Sequence, residues 1–116
     1  MKICVTAAEP GLHAQIDPRF GRSQYFIIVN TETMELKSLQ NPNFELAGGA
    51  GPQSAQMMAD EGVEAVITRN VGPNAMTSLK AAGIKVYMAT TGSVREAVEA
   101  YKNRSLEEIS DQRMRF

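Results

Sequence analysis

Two arginines, Arg19 and Arg22, flank Phe20-Gly21 in a stretch that settles into neither a helical nor a strand period. Guanidinium groups on a loop pinned by an aromatic side chain suit the gripping of an anion, because they donate in pairs and stay charged at any working pH. Asp17, just before them, can orient Arg19 or a metal, or more simply cap a turn. A second feature points the same way. The β-branched run Val66-Ile67-Thr68 leads through Asn70-Val71-Gly72-Pro73-Asn74 into a helical pattern at Met76, Leu79 and Ala82. Proline suits a first helical position, and glycine lets a ligand approach the main chain. Such a turn aims unpaired N–H groups and a positive dipole end at one point. The chain makes this construction three times: at Gly49-Ala50-Gly51, at Gly72-Pro73-Asn74 and at Thr91-Gly92-Ser93.

Soft metal ligands are scarce. His13 is the sole histidine and Cys4 the sole cysteine. Each is a candidate direct metal ligand, although a lone loop histidine is ordinarily solvated and a cysteine inside a strand ordinarily packs as a small hydrophobe. Catalytic templates are missing. The apolar run at residues 2–7, read as the first strand, carries no carboxylate for a two-metal nuclease site, and the sequence has no Ser-His-Asp set, CxxC pair, Walker loop or paired-histidine motif. The residues therefore argue for binding rather than turnover, and a non-enzyme is expected.

Composition narrows the setting. The 116 residues are 43% hydrophobic and 22% charged with net charge −1, which excludes a global basic field for nucleic acid or an acidic membrane surface. No apolar segment nears the roughly 20 residues of a membrane span, and the first residues lack the pattern of a secretion signal. A lone cysteine fits a reducing compartment. A cytoplasmic domain over residues 1–106 with a loosely ordered tail over 107–116 is expected, as monomer or weak homodimer.

Apolar runs at 2–7 and 25–29 predict strands, and the alternation Met34-Glu35-Leu36-Lys37 predicts an edge strand after a turn at Asn30-Thr31-Glu32-Thr33. Helices through Ala55 and Met58, Met76 and Leu79, and Val94, Ala97 and Val98 alternate with strands at 63–68 and 84–89. Gly62 and Gly83 close the first two helices, and Ser93 with Glu96 has capping-box spacing for the third. Val66-Ile67 and Gly72 recur as Val86-Tyr87 and Gly92 at an offset of 20 residues. Right-handed crossovers then predict an α/β, ribonuclease H-like three-layer fold. Its five-stranded mixed sheet has order 3-2-1-4-5, with strand 2 antiparallel and helices on both faces. In open α/β sheets ligands bind beyond the carboxyl ends of the strands. All three helix entrances and the arginine loop are expected at that rim.

The motifs Asp17-Pro18-Arg19-Phe20-Gly21-Arg22-Ser23-Gln24-Tyr25-Phe26, Gly49-Ala50-Gly51, Gly72-Pro73-Asn74-Ala75 and Ala82-Gly83-Ile84 resemble the dinitrogenase iron–molybdenum cofactor biosynthesis family. The resemblance runs from about Met1 to Leu106. It implies a ribonuclease H-like fold and noncatalytic binding or carriage of an anionic iron–sulfur(–molybdenum) cluster or its precursor, exchanged with a donor or acceptor protein. Nitrogenase-dedicated members carry a His-Phe-Gly-His loop where Arg19 and Arg22 stand here, so imidazole ligation from that motif is absent. The alternative is an adaptor domain that binds a partner protein or a small phosphorylated ligand at the same rim.

Overall fold

Strand β1 (Lys2–Ala7) is buried at every position from Ile3 onward, because it lies inside the sheet and is covered on both faces. In the computed structural model, which describes residues 1–42, 50–89 and 92–109, it is followed by β2 (Tyr25–Asn30), β3 (Leu36–Gln40), α1 (Ala50–Asp60), β4 (Ala65–Thr68), α2 (Pro73–Ala81), β5 (Lys85–Met88), α3 (Val94–Lys102) and β6 (Glu107–Glu108). The sheet order is β3-β2-β1-β4-β5-β6, with β2 antiparallel to both neighbours and β1, β4 and β5 parallel. The expected order of the first five strands is found. The count of five is corrected to six.

Glu107 and Glu108 were missed because two exposed charged residues carry no alternation. Their contribution is main-chain pairing against the open edge of β5, and buried Ile109 anchors them by donating its N–H to Val86 O at 2.7 Å. The rest of the expected tail, 110–116, lies outside the described residues. The third strand also starts later than its alternation suggests. Met34 sits at φ 63 inside the turn, which Asn30 Oδ1 holds by accepting from the N–H groups of Glu32 and Thr33.

Side chains alternate across the sheet and divide the core in two. Cys4, Phe26, Ile28, Val66 and Val86 face Ala55 and Met58 of α1 and Ala75, Met76 and Leu79 of α2. Ile3, Val5, Ile27, Val29 and Ile67 face Val94, Ala97 and Val98 of α3. Two helices thus cover one face and one covers the other. Among the described residues no helix is long and apolar enough to cross a membrane.

All three helices end alike. Val63, Ile84 and Ser105 donate to Met58, Leu79 and Ala100, while Gly62, Gly83 and Arg104 donate to Ala59, Lys80 and Tyr101. This termination needs a left-handed residue, which glycine supplies at φ 75 for Gly62 and Gly83. Arg104 adopts φ 58 without that freedom, at a cost of about 1–2 kcal/mol.

Candidate functional site

The connection from Ala8 to Gln24 crosses the carboxyl ends of the central strands and is tied down along its length. Ala8 N donates to Gln15 O, and Ile16 N to Gly92 O. Buried Thr6 donates its hydroxyl to Asp17 O at 2.6 Å, and its main chain accepts from Asp17 N. Thr6 Oγ1 also lies 2.9 Å from Thr68 Oγ1, linking loop, β1 and β4. Pro18 O accepts from Asn70 N and Asn70 O from Phe20 N. Phe20 is buried against Phe26 with ring centroids 5.6 Å apart. Gly21 O accepts from Asn41 Nδ2 at 3.0 Å, and buried Ser23 bonds Ala7 and Tyr25. The loop is therefore a fixed scaffold for the arginines it carries.

Asp17, itself buried, accepts from Arg19 N at 3.0 Å and lies 3.4 Å from Arg19 Nε. It both caps the turn and aims the guanidinium, which stays more than half exposed. Beside Arg19 and Arg22 open the first turns of α1 and α2. Gly51 allows the two helices to touch there: a Cβ on it would lie 2.7 Å from Ala75 Cβ. Between them is a cavity of about 330 Å³, lined by Arg19, Phe20, Gly21 and Arg22 from the loop, Gly51 and Pro52 from α1, and Asn70, Gly72, Pro73, Asn74 and Ala75 around the start of α2. Among the described residues no carboxylate lines it. Gly72 caps α2 with no side-chain hydrogen bond, and the first turn holds no acid. The N–H groups of Asn74 and Ala75 find no acceptor among the described residues. The mouth offers main-chain donors and two arginines, and Arg19 is steadied at its Nε by Asp17, which is not among the described lining residues.

The expected site residues divide. Arg19, Phe20, Gly21, Arg22, Gly51, Asn70, Gly72 and Asn74 come together at this cavity. Ala50 opens α1, whereas Gly49 and Thr91 lie outside the described residues. Gly92 is instead beside another cavity, with Glu96 and Met88, and Ser93 starts α3 on the opposite face of the sheet. Two helix entrances share the arginine mouth, not three. His13 is exposed on the loop and is not part of the lining. Cys4 is fully buried beneath α1 and α2, where burial pushes its thiol pKa up and disfavours the thiolate. Among the described residues no group of three or more His, Cys, Asp or Glu side chains is placed to hold a metal ion. Sequence reasoning missed the hydroxyl link of Thr6 and Thr68 and the clasp of Asn41; threonine in an apolar strand gives no sign of its partner.

The α/β sheet thus brings two helix entrances and two arginines to one rim. The chain belongs to the dinitrogenase iron–molybdenum cofactor family, whose model matches residues 1–104. It is similar to the orange protein of Desulfovibrio gigas, solved in its apo form, at 38% identity and TM-score 0.90, covering 94% of this chain and 92% of that one. A NifB-like protein from Thermotoga, TM1290, is 37% identical at TM-score 0.85, with 95% and 94% covered. The uncharacterized protein MJ0580 of Methanocaldococcus jannaschii is 36% identical over 98 residues, which is 82% of this chain and 83% of that protein.

Proposed function

We propose that the chain is a noncatalytic carrier that binds an anionic iron–sulfur or iron–molybdenum–sulfur cluster, or its precursor, at the arginine mouth. One observation carries the reading: Arg19, Arg22 and the N–H groups of Asn74 and Ala75 surround one cavity, and among the described residues no carboxylate lines it. Family membership and the likeness to a relative described in an apo form fit a small cofactor-binding or carrier role. The sheet order with β2 antiparallel supports a ribonuclease H-like architecture for it. Such carriage would be cytoplasmic, between a donor and an acceptor protein.

The donor set decides how the cargo is held. Guanidinium and amide N–H groups bind sulfide or thiolate ligands on a cluster; they do not coordinate iron. The lining contains no cysteine or histidine, so the cluster would arrive with its own ligands and be held as a whole anion. Retention should then weaken with salt, because the arginine charges sit at an open mouth.

Anaerobic incubation with a thiolate-capped iron–sulfur cluster, followed by gel filtration, tests this. Iron and visible absorbance should co-elute with the protein, and the double variant Arg19→Ala, Arg22→Ala should lose most of both while remaining folded by circular dichroism. No co-elution, or equal retention by the double variant, overturns the reading.

A further inference from the structure

A larger cavity opens at the other end of the sheet. It measures about 640 Å³ and lies beside Met1 and Lys85, at the amino ends of β1 and β5. Lys85, Lys102 and Arg104 border it, and Tyr87 and Tyr101 form an aromatic wall. The two rings meet edge to face with centroids 5.1 Å apart at 82°. Tyr101 is fixed further by its hydroxyl, which donates to Met1 Sδ at 3.1 Å.

The fold alone does not account for three cations here. Lys102 in the last turn of α3 suits that helix's negative end. Lys85 comes from a different element and has no such reason. Among the described residues none of the three forms an ion pair, and Lys102 makes only a 3.9 Å approach to Met34 Sδ. Among the described residues Glu32 pairs with the Met1 amine, and neither Glu64, just before β4, nor Glu108 of β6 forms an ion pair with these cations. Arg104 adds an independent sign. It occupies the left-handed step at which the other two helices place glycine, and backbone strain retained at a cavity's border is a pointer to function.

We infer that this cavity binds a nucleoside diphosphate, with the base against the Tyr87–Tyr101 wall and the phosphates held by Lys85, Lys102 and Arg104. An aromatic wall stacks any base, since every base presents a π-face. The three cations match the charge of a diphosphate, and the volume is that of a small-molecule site. The site is separate from the arginine mouth, on the opposite rim and on the α3 side of the sheet.

Calorimetry with ADP, pyrophosphate and adenosine tests it, with backbone amide shifts locating the ligand. ADP should bind about tenfold tighter than either fragment, as expected when stacking and charge pairing act together, and should move the amides of Tyr87 and Tyr101. Arg104→Gly should weaken ADP about tenfold while raising Tm, because glycine removes the strain. The Arg19→Ala, Arg22→Ala variant should bind ADP unchanged, so failure of the cluster reading leaves this one standing. Equal affinity for ADP and pyrophosphate, shifts confined to the arginine mouth, or an Arg104→Gly variant with undiminished affinity overturns the inference.

Discussion

The entrances of α2 and α3 are built from the same device, a strand, a glycine-bearing turn and a helix start, repeated at an offset of 20 residues. They end in opposite electrostatic states. At α3 the orphan donors are taken within the protein: Val94 N donates to Ala14 O, Arg95 N to Leu12 O, Glu96 N to Ser93 Oγ, and Ser93 N to Glu96 Oε1. A carboxylate already sits at the positive end of that helix. At α2 the cap is Gly72, the first residue is Pro73, and no acid occupies the first turn. One entrance closes a structural joint and the other leaves donors for something else. A glycine turn before a helix is therefore an offer of donors, and the residues of the next turn decide whether the protein accepts it itself.

The largest change should come from forcing apart the two helix starts that share the mouth. Gly51→Leu drives a side chain into Ala75, whose Cβ already lies 2.7 Å from where a new Cβ would stand. Overpacking of this kind costs about 1–3 kcal/mol. Urea denaturation should show that loss, and gel filtration should show the cluster no longer retained. A smaller loss separates the two entrances. Ser93→Ala removes the α3 cap and should cost about 1 kcal/mol in urea denaturation. Cluster retention should be unchanged, since α3 lies on the opposite face. If retention falls with Ser93→Ala, the entrances are not independent and the contrast drawn between them is wrong.

Much of this contrast was legible in the residues. The capping box needs only serine and glutamate at the right spacing, and both of its hydrogen bonds form. The closing glycines Gly62 and Gly83 take up the left-handed conformation their positions suggest. The face on which each helix lies was harder to read. Helix α1 links β3 to β4 and α2 links β4 to β5, all parallel, so right-handed crossovers in one direction put both helices on one face. Helix α3 leads into antiparallel β6, and that rule does not bind it. Recognising this required the two-residue strand at Glu107–Glu108, which has no hydrophobic pattern to announce it. The cationic cavity was hidden for a related reason. Lys85, Lys102 and Arg104 belong to no motif, and folding gathers them around tyrosines from two different elements.

The smallest expected change in stability is also the sharpest test, because it converts one entrance into the other. Gly72 has φ −68 and ψ 165, and a Cβ added there meets nothing within 4 Å, so Gly72→Asp fits without strain. Its carboxylate can accept from the first-turn N–H groups and sits at the positive end of α2. Together these effects should add a few tenths to about 1 kcal/mol of stability. The same carboxylate takes the donors assigned to the cluster and puts negative charge into the cavity that Arg19 and Arg22 line. Tm should hold or rise while iron retention in gel filtration is lost. Gly72→Ser should fall between wild type and Gly72→Asp, since it fills the donors without adding charge. Retention undiminished in Gly72→Asp would mean that the main-chain donors of α2 take no part and that the arginines hold the cargo alone.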